Sequence, residues 1–174
     1  VILSLGAFVL APARAQQNWR FVNPLPAGQG LKAVAYGAGV YVAVGTDGII
    51  LSSPDATTWT VRRESTPTNV LNNVIFANGR FMAVGQDASI STSALVLIST
   101  DGINWTKAAL NHQAQLMEVI HANGVWMVSG LSSPPATATS TDDGATWTVR
   151  GVTGGPHSPR WTMAASISTA AAPT

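Results

Sequence analysis

From Leu31 onward, apolar runs alternate with short turn signals in one pattern written three times. Residues 31–45 read LKAVAYGAGVYVAVG, residues 71–85 read LNNVIFANGRFMAVG and residues 116–130 read LMEVIHANGVWMVSG. In each copy, two apolar runs flank a tight turn. Asn78-Gly79 and Asn123-Gly124 are type I′ hairpin signals, because that turn needs positive φ at both central residues. Gly37-Ala38-Gly39 is a looser version. The second run, Val40-Tyr41-Val42-Ala43-Val44 in the first copy, lacks polar alternation, so it predicts a strand buried on both faces. A third strand is predicted through 49–51, 96–98 and 137–139, and a fourth carrying a tryptophan. No helical period appears after the first fifteen residues. Repeats of this length, each holding four short antiparallel strands, predict stacked sheets of the β-propeller kind.

A second motif follows each copy. It reads SPDATTWT at 53–60, STDGINWT at 99–106 and STDDGATWT at 140–148, the last with one extra residue. Trp59, Trp105 and Trp147 recur in register, and Trp19 lies forty residues before Trp59. Asp55, Asp101 and Asp142 are placed to accept hydrogen bonds from turn N–H groups. Gly102 and Gly144 can supply positive φ, whereas Ala56 stands at the equivalent place in the first copy. Each tryptophan is expected to wedge between hairpins. Ser53, Ser99 and Ser140 open the three motifs. A motif repeated once per unit reads as architecture. A catalytic or calcium site would be built once.

The Ser-x-Asp-(x)-Gly-x-x-Trp pattern resembles the Asp-box, or BNR repeat, of sialidase-like β-propellers. The YVAVG-type segment is similar to propellers of the photosystem II assembly-factor group. The resemblance covers roughly 19–151 and implies an all-β fold: a partial β-propeller of about three four-stranded antiparallel blades with Asp-box turns. The blades are expected at about 19–60, 61–106 and 107–150. Propellers commonly have 4–8 blades around a channel. The resemblance therefore implies the remaining blades of a larger propeller as partners, with this chain a fragment of it. Sialidases of this fold use an arginine cluster beginning in Arg-Ile-Pro, a tyrosine nucleophile and an acid. Trp19-Arg20-Phe21-Val22-Asn23-Pro24 lacks that motif.

The ends break the pattern. Residues 1–11, VILSLGAFVLA, precede Pro12 and Ala13-Arg14-Ala15. A short apolar run followed by small residues two apart reads as a secretory signal truncated at its start, cleaved after Ala15. It is too short for a membrane span, which needs roughly 20 residues. The expected location is secreted, periplasmic or cell-surface. Residues 151–174 are rich in Gly, Pro and small residues. They read as a linker, a diverged blade or an artefactual tail.

Composition narrows the function. Only 10% of residues are charged and 46% are hydrophobic, against the profile of a disordered tail. A formal net charge of +1 offers no basic stripe for nucleic acid. Cysteine is absent, which removes disulfides, thiolate nucleophiles and Cys-based zinc sites. Tyr36 aligns with Phe76 and His121, and Tyr41 with Phe81 and Trp126, so all read as packing positions. His112 and His157 have no second ligand at metal spacing. Gly28-Gln29-Gly30 lacks the third glycine of a dinucleotide loop and precedes a strand. Asp47 reads as a hairpin residue, Asp87 as its counterpart, and Glu118 as an exposed or channel-facing acid. Asn104-Trp105-Thr106 is formally a glycosylation sequon. The chain thus presents no catalytic, cofactor or metal set. The expected function is a non-catalytic binding or scaffold module for protein or glycan. The alternative is part of a sialidase-like glycoside hydrolase whose catalytic groups lie in other blades. Ligand contacts are expected at the loops 86–94 and 131–137.

Overall fold

The computed structural model describes residues 30–64, 66–89, 92–133 and 136–151. The expectations for the signal segment 1–15, Trp19, Arg20, Gly28, Gln29, His157 and the tail beyond Gly151 lie outside these residues.

The described residues form three four-stranded antiparallel sheets. The first holds β1 (Leu31–Gly37), β2 (Val40–Gly45), β3 (Ile50–Ser53) and β4 (Thr60–Arg63). The second holds β5 (Asn69–Ala77), β6 (Arg80–Asp87), β7 (Ser93–Ser99) and β8 (Thr106–Lys107). The third holds β9 (Gln115–Ala122), β10 (Val125–Leu131), β11 (Ala136–Ser140) and β12 (Thr148–Gly151). Strands pair in sequence order within each sheet. No helix occurs among the described residues, so none there could cross a membrane.

Each first hairpin closes on two residues of positive φ: Ala38 and Gly39 at 47° and 78°, Asn78 and Gly79 at 47° and 71°, Asn123 and Gly124 at 51° and 75°. These are the values a type I′ turn requires. The middle sheet shows why its strands lack polar alternation. On β6, Phe81 and Ala83 face the first sheet, packing with Val42, Val44 and Ile50. Met82 and Val84 face the third, packing with Val119, Trp126 and Val128. Period-two geometry sends alternate side chains to opposite faces, and both faces are covered. The first strands lie side by side, β5 against β1 and β9 against β5.

All three first hairpins carry a bulge at the same register, between Leu31 and Ala33, between Leu71 and Asn73, and between Ser129 and Gly130. A bulge places two residues opposite one and pushes the local backbone across the ladder. The glycines ending the VAVG and VSG segments answer it. A methyl group at Gly45, Gly85 or Gly130 would overlap the carbonyl oxygen of Gly30, Val70 or Gln115. These glycines are required by close backbone approach, since their φ is not in the left-handed region.

The structure departs from the sequence expectation in three places. The tryptophans precede the fourth strands, and each indole turns back onto its own turn. The first strand of the second sheet begins at Asn69, two residues before the second copy of the repeat. Tyr36 is 59% exposed, and the predicted packing role does not hold for it. Its counterpart Phe76 packs with the core shared by the first and second sheets. Among the described residues, no sheet lies on the face that carries Tyr36.

Because only backbone lies opposite it, Gly85→Ala has no side chain to displace. It is expected to cost about 2 kcal/mol or more by forced backbone shift. Urea unfolding should show a lower midpoint with an unchanged slope.

Candidate functional site

Antiparallel order puts the loops of every sheet at two ends. At one end lie the first hairpins and the turns from third to fourth strand. At the other lie the loops from second to third strand and the connections between sheets. The predicted motif residues all fall at the first, the turn end.

The three third-to-fourth-strand turns share a core of hydrogen bonds. The hydroxyl of Ser53, Ser99 or Ser140 donates to Oδ1 of Asp55, Asp101 or Asp142 at 2.9, 2.9 and 2.8 Å. Asp55 Oδ1 accepts from the N–H groups of Thr57 and Thr58 at 2.9 and 2.8 Å. Asp101 Oδ1 accepts from Ile103 and Asn104, both at 2.8 Å, and Asp142 Oδ1 from Thr146 at 2.8 Å. The serine oxygens in turn accept from the N–H groups of Gly102 and Gly144 at 2.8 Å. The indoles of Trp59, Trp105 and Trp147 donate to the carbonyls of Ala56, Gly102 and Gly144 at 3.2, 3.3 and 3.0 Å. Hydrogen bonds to the ionised form hold all three carboxyls low. Backbone donors dominate for Asp55 and Asp101, which lie well below the usual carboxylate range. The Thr146 hydroxyl leads for Asp142, at about 2.

The turns do more than close hairpins. Gly102, at φ 69°, lies against Val40 and Val42 of the first sheet. Gly144, at φ 88°, lies against Ile98 and Met82 of the second. Each of these turns therefore seats on the sheet before it. Ala56 takes the same left-handed conformation at φ 57° without glycine's freedom.

The extra residue of the third motif, Asp143, has a role that the repeat alone does not show. It accepts from Asn78 Nδ2 at 2.7 Å and Trp126 Nε1 at 3.1 Å, and pairs with Arg80 at 3.0 Å. Those donors hold its carboxyl below the usual range, Asn78 first. It thereby clasps the hairpin of the second sheet to the third sheet. His121 packs at a tilt against Trp126 at 4.6 Å between centroids, as Tyr36 does against Tyr41 and Phe76 against Phe81. His121 Nε2 and Arg80 Nε are buried without hydrogen-bond partners among the described residues.

The opposite, loop end carries the polar groups that the repeat does not specify. Arg63 donates to the Gly48 carbonyl at 2.7 Å. With its carboxamide oriented to satisfy both neighbours, Asn69 accepts from Arg63 at 2.7 Å and donates to Asp87 Oδ1 at 2.9 Å. Asp87 also accepts from the Ser89 hydroxyl and N–H at 2.7 and 3.1 Å and pairs with Lys107 at 3.5 Å. The Ser89 bonds hold its carboxyl below the usual range. Asp87 thus anchors Asn69 within the second sheet, and Asn69 makes the link to Arg63 of the first, whereas Asp47 sits in a turn at φ 56°. His112 is half-buried in the connection to the third sheet, where its carbonyl accepts from Ala94.

Beside this network, the bulges bring residues of three sheets together. Lys32 donates to Asn72 Oδ1 at 2.8 Å, and Asn72 donates to the Leu116 carbonyl at 2.7 Å. Asn73 donates to Glu118 Oε2 at 2.6 Å. Lys32 and Glu118 are exposed, as the sequence predicts for the acid. Met117 continues the arc at 40% exposure. The recurrent glycines at 45, 85 and 130 were the sequence signal for these bulges. Among the described residues no group of three or more His, Asp or Glu could hold a metal.

No protein-family profile matches this chain, and no curated protein sequence is similar to it. Solved structures are similar. YCF48 from Cyanidioschyzon merolae aligns with 72% of the chain at 22% identity and a TM-score of 0.55. YCF48 bound to D1 peptide aligns with 72% at 17% identity and a TM-score of 0.57. The chain spans 38% and 40% of those two proteins. At such identity the likeness establishes fold: the three sheets are blades of a partial β-propeller.

The lowered carboxyls fix a direction for pH. A carboxyl ordinarily near 3.8 and held lower in the folded state contributes stability above about pH 4 and loses it as pH falls through the folded value. Stability is expected to be flat from neutral pH to about 4 and to fall from there toward 2 and below. In Asp101→Asn, the acid slope should be shallower and the neutral-pH melting temperature lower. Melting curves across that range check both.

Proposed function

We propose that the chain is a non-catalytic binding module of a propeller, acting outside the cytoplasm, that holds an extended peptide across its loop end. The observation that carries this reading is the arc Lys32–Asn72–Asn73–Glu118. It sets a cation, two carboxamides and an anion on the innermost strands of three adjacent blades. Bulges re-aim side chains at the rims of sheets, and here all three coincide at one end. Carboxamides can both donate to and accept from a peptide backbone. The opposed charges at the arc's ends would set the direction of a bound chain. The fold-level likeness to YCF48, solved with D1 peptide, supports peptide over glycan by analogy. An apolar signal-like segment at 1–15 supports export.

Selection of peptides from a random display library tests the reading. The parent chain should enrich sequences with an acidic and a basic residue at fixed separation. Lys32→Glu combined with Glu118→Lys should invert their order, and Thr100→Ala at the turn end should change nothing. Enrichment unaffected by the charge swap, or glycan hydrolysis by the chain, would overturn it.

A further inference from the structure

Two hairpins close on the same tripeptide, Ala-Asn-Gly, at 77–79 and 122–124. Their backbones match, with Asn78 at φ 47° and Asn123 at φ 51°. Both asparagines are exposed, and nothing lies within 4 Å of where a Cβ on either following glycine would stand. They differ in one contact. The Asn78 carboxamide donates to Asp143 Oδ1 at 2.7 Å, while that of Asn123 makes no hydrogen bond among the described residues.

We propose that Asn123 is a site of spontaneous deamidation and that Asp143 protects Asn78 from the same reaction. The chemistry follows from Asn-Gly itself. The Gly124 amide nitrogen, having lost its proton to solvent base, attacks Asn123 Cγ. The C–N bond to Nδ2 breaks, and Nδ2 leaves as ammonia after taking a proton from water. The resulting succinimide is then opened by water at either carbonyl, leaving aspartate or isoaspartate. Glycine lacks the Cβ that would obstruct this ring closure. At Asn78 the carboxamide must first give up its bond to a carboxylate before it can swing over the Gly79 nitrogen. A hydrogen bond to a charged acceptor is strong enough to slow such a step about tenfold or more.

The two sites also differ in what conversion does. At Asn123 a new carboxylate enters an open turn. At Asn78 it faces Asp143 and removes a donor from the clasp that joins the second and third blades. The protected site is the one whose loss would loosen an interblade contact.

The test is peptide mapping by mass spectrometry of the intact chain aged in mildly alkaline buffer, with and without urea. In urea the shared tripeptide should convert at similar rates at both positions. In the folded chain Asn123 should convert, with Asn78 slower by about tenfold or more. Asp143→Ala should bring Asn78 up to the rate of Asn123. Equal rates in the folded parent chain, a faster Asn78, or no conversion of either while the urea sample converts would each overturn the proposal. The comparison of folded with unfolded parent chain decides it even if Asp143→Ala does not fold.

Discussion

The structure depends on where its third-to-fourth-strand turns sit. A four-stranded sheet with both faces apolar cannot exist alone, so each must be held against a neighbour at one spacing and angle. The turns of the second and third blades reach across and place Gly102 and Gly144 on the sheet before them. The aspartate of each turn supplies little burial, Asp55 and Asp142 being exposed and Asp101 half-buried. It binds the backbone N–H groups that would otherwise let the turn open. Magnitudes separate the roles. Burying one side chain such as Phe81 is worth about 1.5–3 kcal/mol, and one turn hydrogen bond about 1 kcal/mol. Packing therefore dominates stability, and the carboxylate decides which packing is reached.

This division explains why the two ends differ. The turn end repeats because each blade must meet the last one in the same way. The loop end is free of that requirement, and there the blades diverge: Lys32, Asn72 and Met117 occupy one bulge position, and Ala33, Asn73 and Glu118 the next. The Arg63–Asn69–Asp87 chain fastens two blades just behind these positions, which gives the variable residues a rigid base. Binding side chains on a fixed scaffold are the usual way that one fold serves many ligands.

Features written within a few residues were legible in the sequence. The Asn-Gly hairpins, the doubly buried second strands of the first two blades and the positive φ at Gly102 and Gly144 are local consequences of residue type. Features that depend on a neighbouring blade were not. Tyr36 shares a register position with Phe76, but exposure depends on what lies across the interface. Asp143 appears as a spacing irregularity, and its partners Asn78 and Arg80 lie more than sixty residues away. The glycines at 45, 85 and 130 were visible as a recurrence, but their cause, a carbonyl pressed forward by a bulge, belongs to the paired strand. The polar arc arises because those bulges align in space.

These turns stabilise the array through contact with the preceding sheet. Comparing Gly79→Ala with Gly102→Ala tests it most directly. Both glycines have nearly the same φ, 71° and 69°, so the conformational penalty is shared, about 1 kcal/mol each. A methyl group at Gly79 meets nothing within 4 Å, whereas at Gly102 it meets Val42 at 2.8 Å and Val40 at 2.9 Å. Unfolding free energies should show Gly102→Ala costing at least about 1 kcal/mol more than Gly79→Ala. Equal costs would mean that the turn does not bear on the neighbouring sheet, and the account would fail.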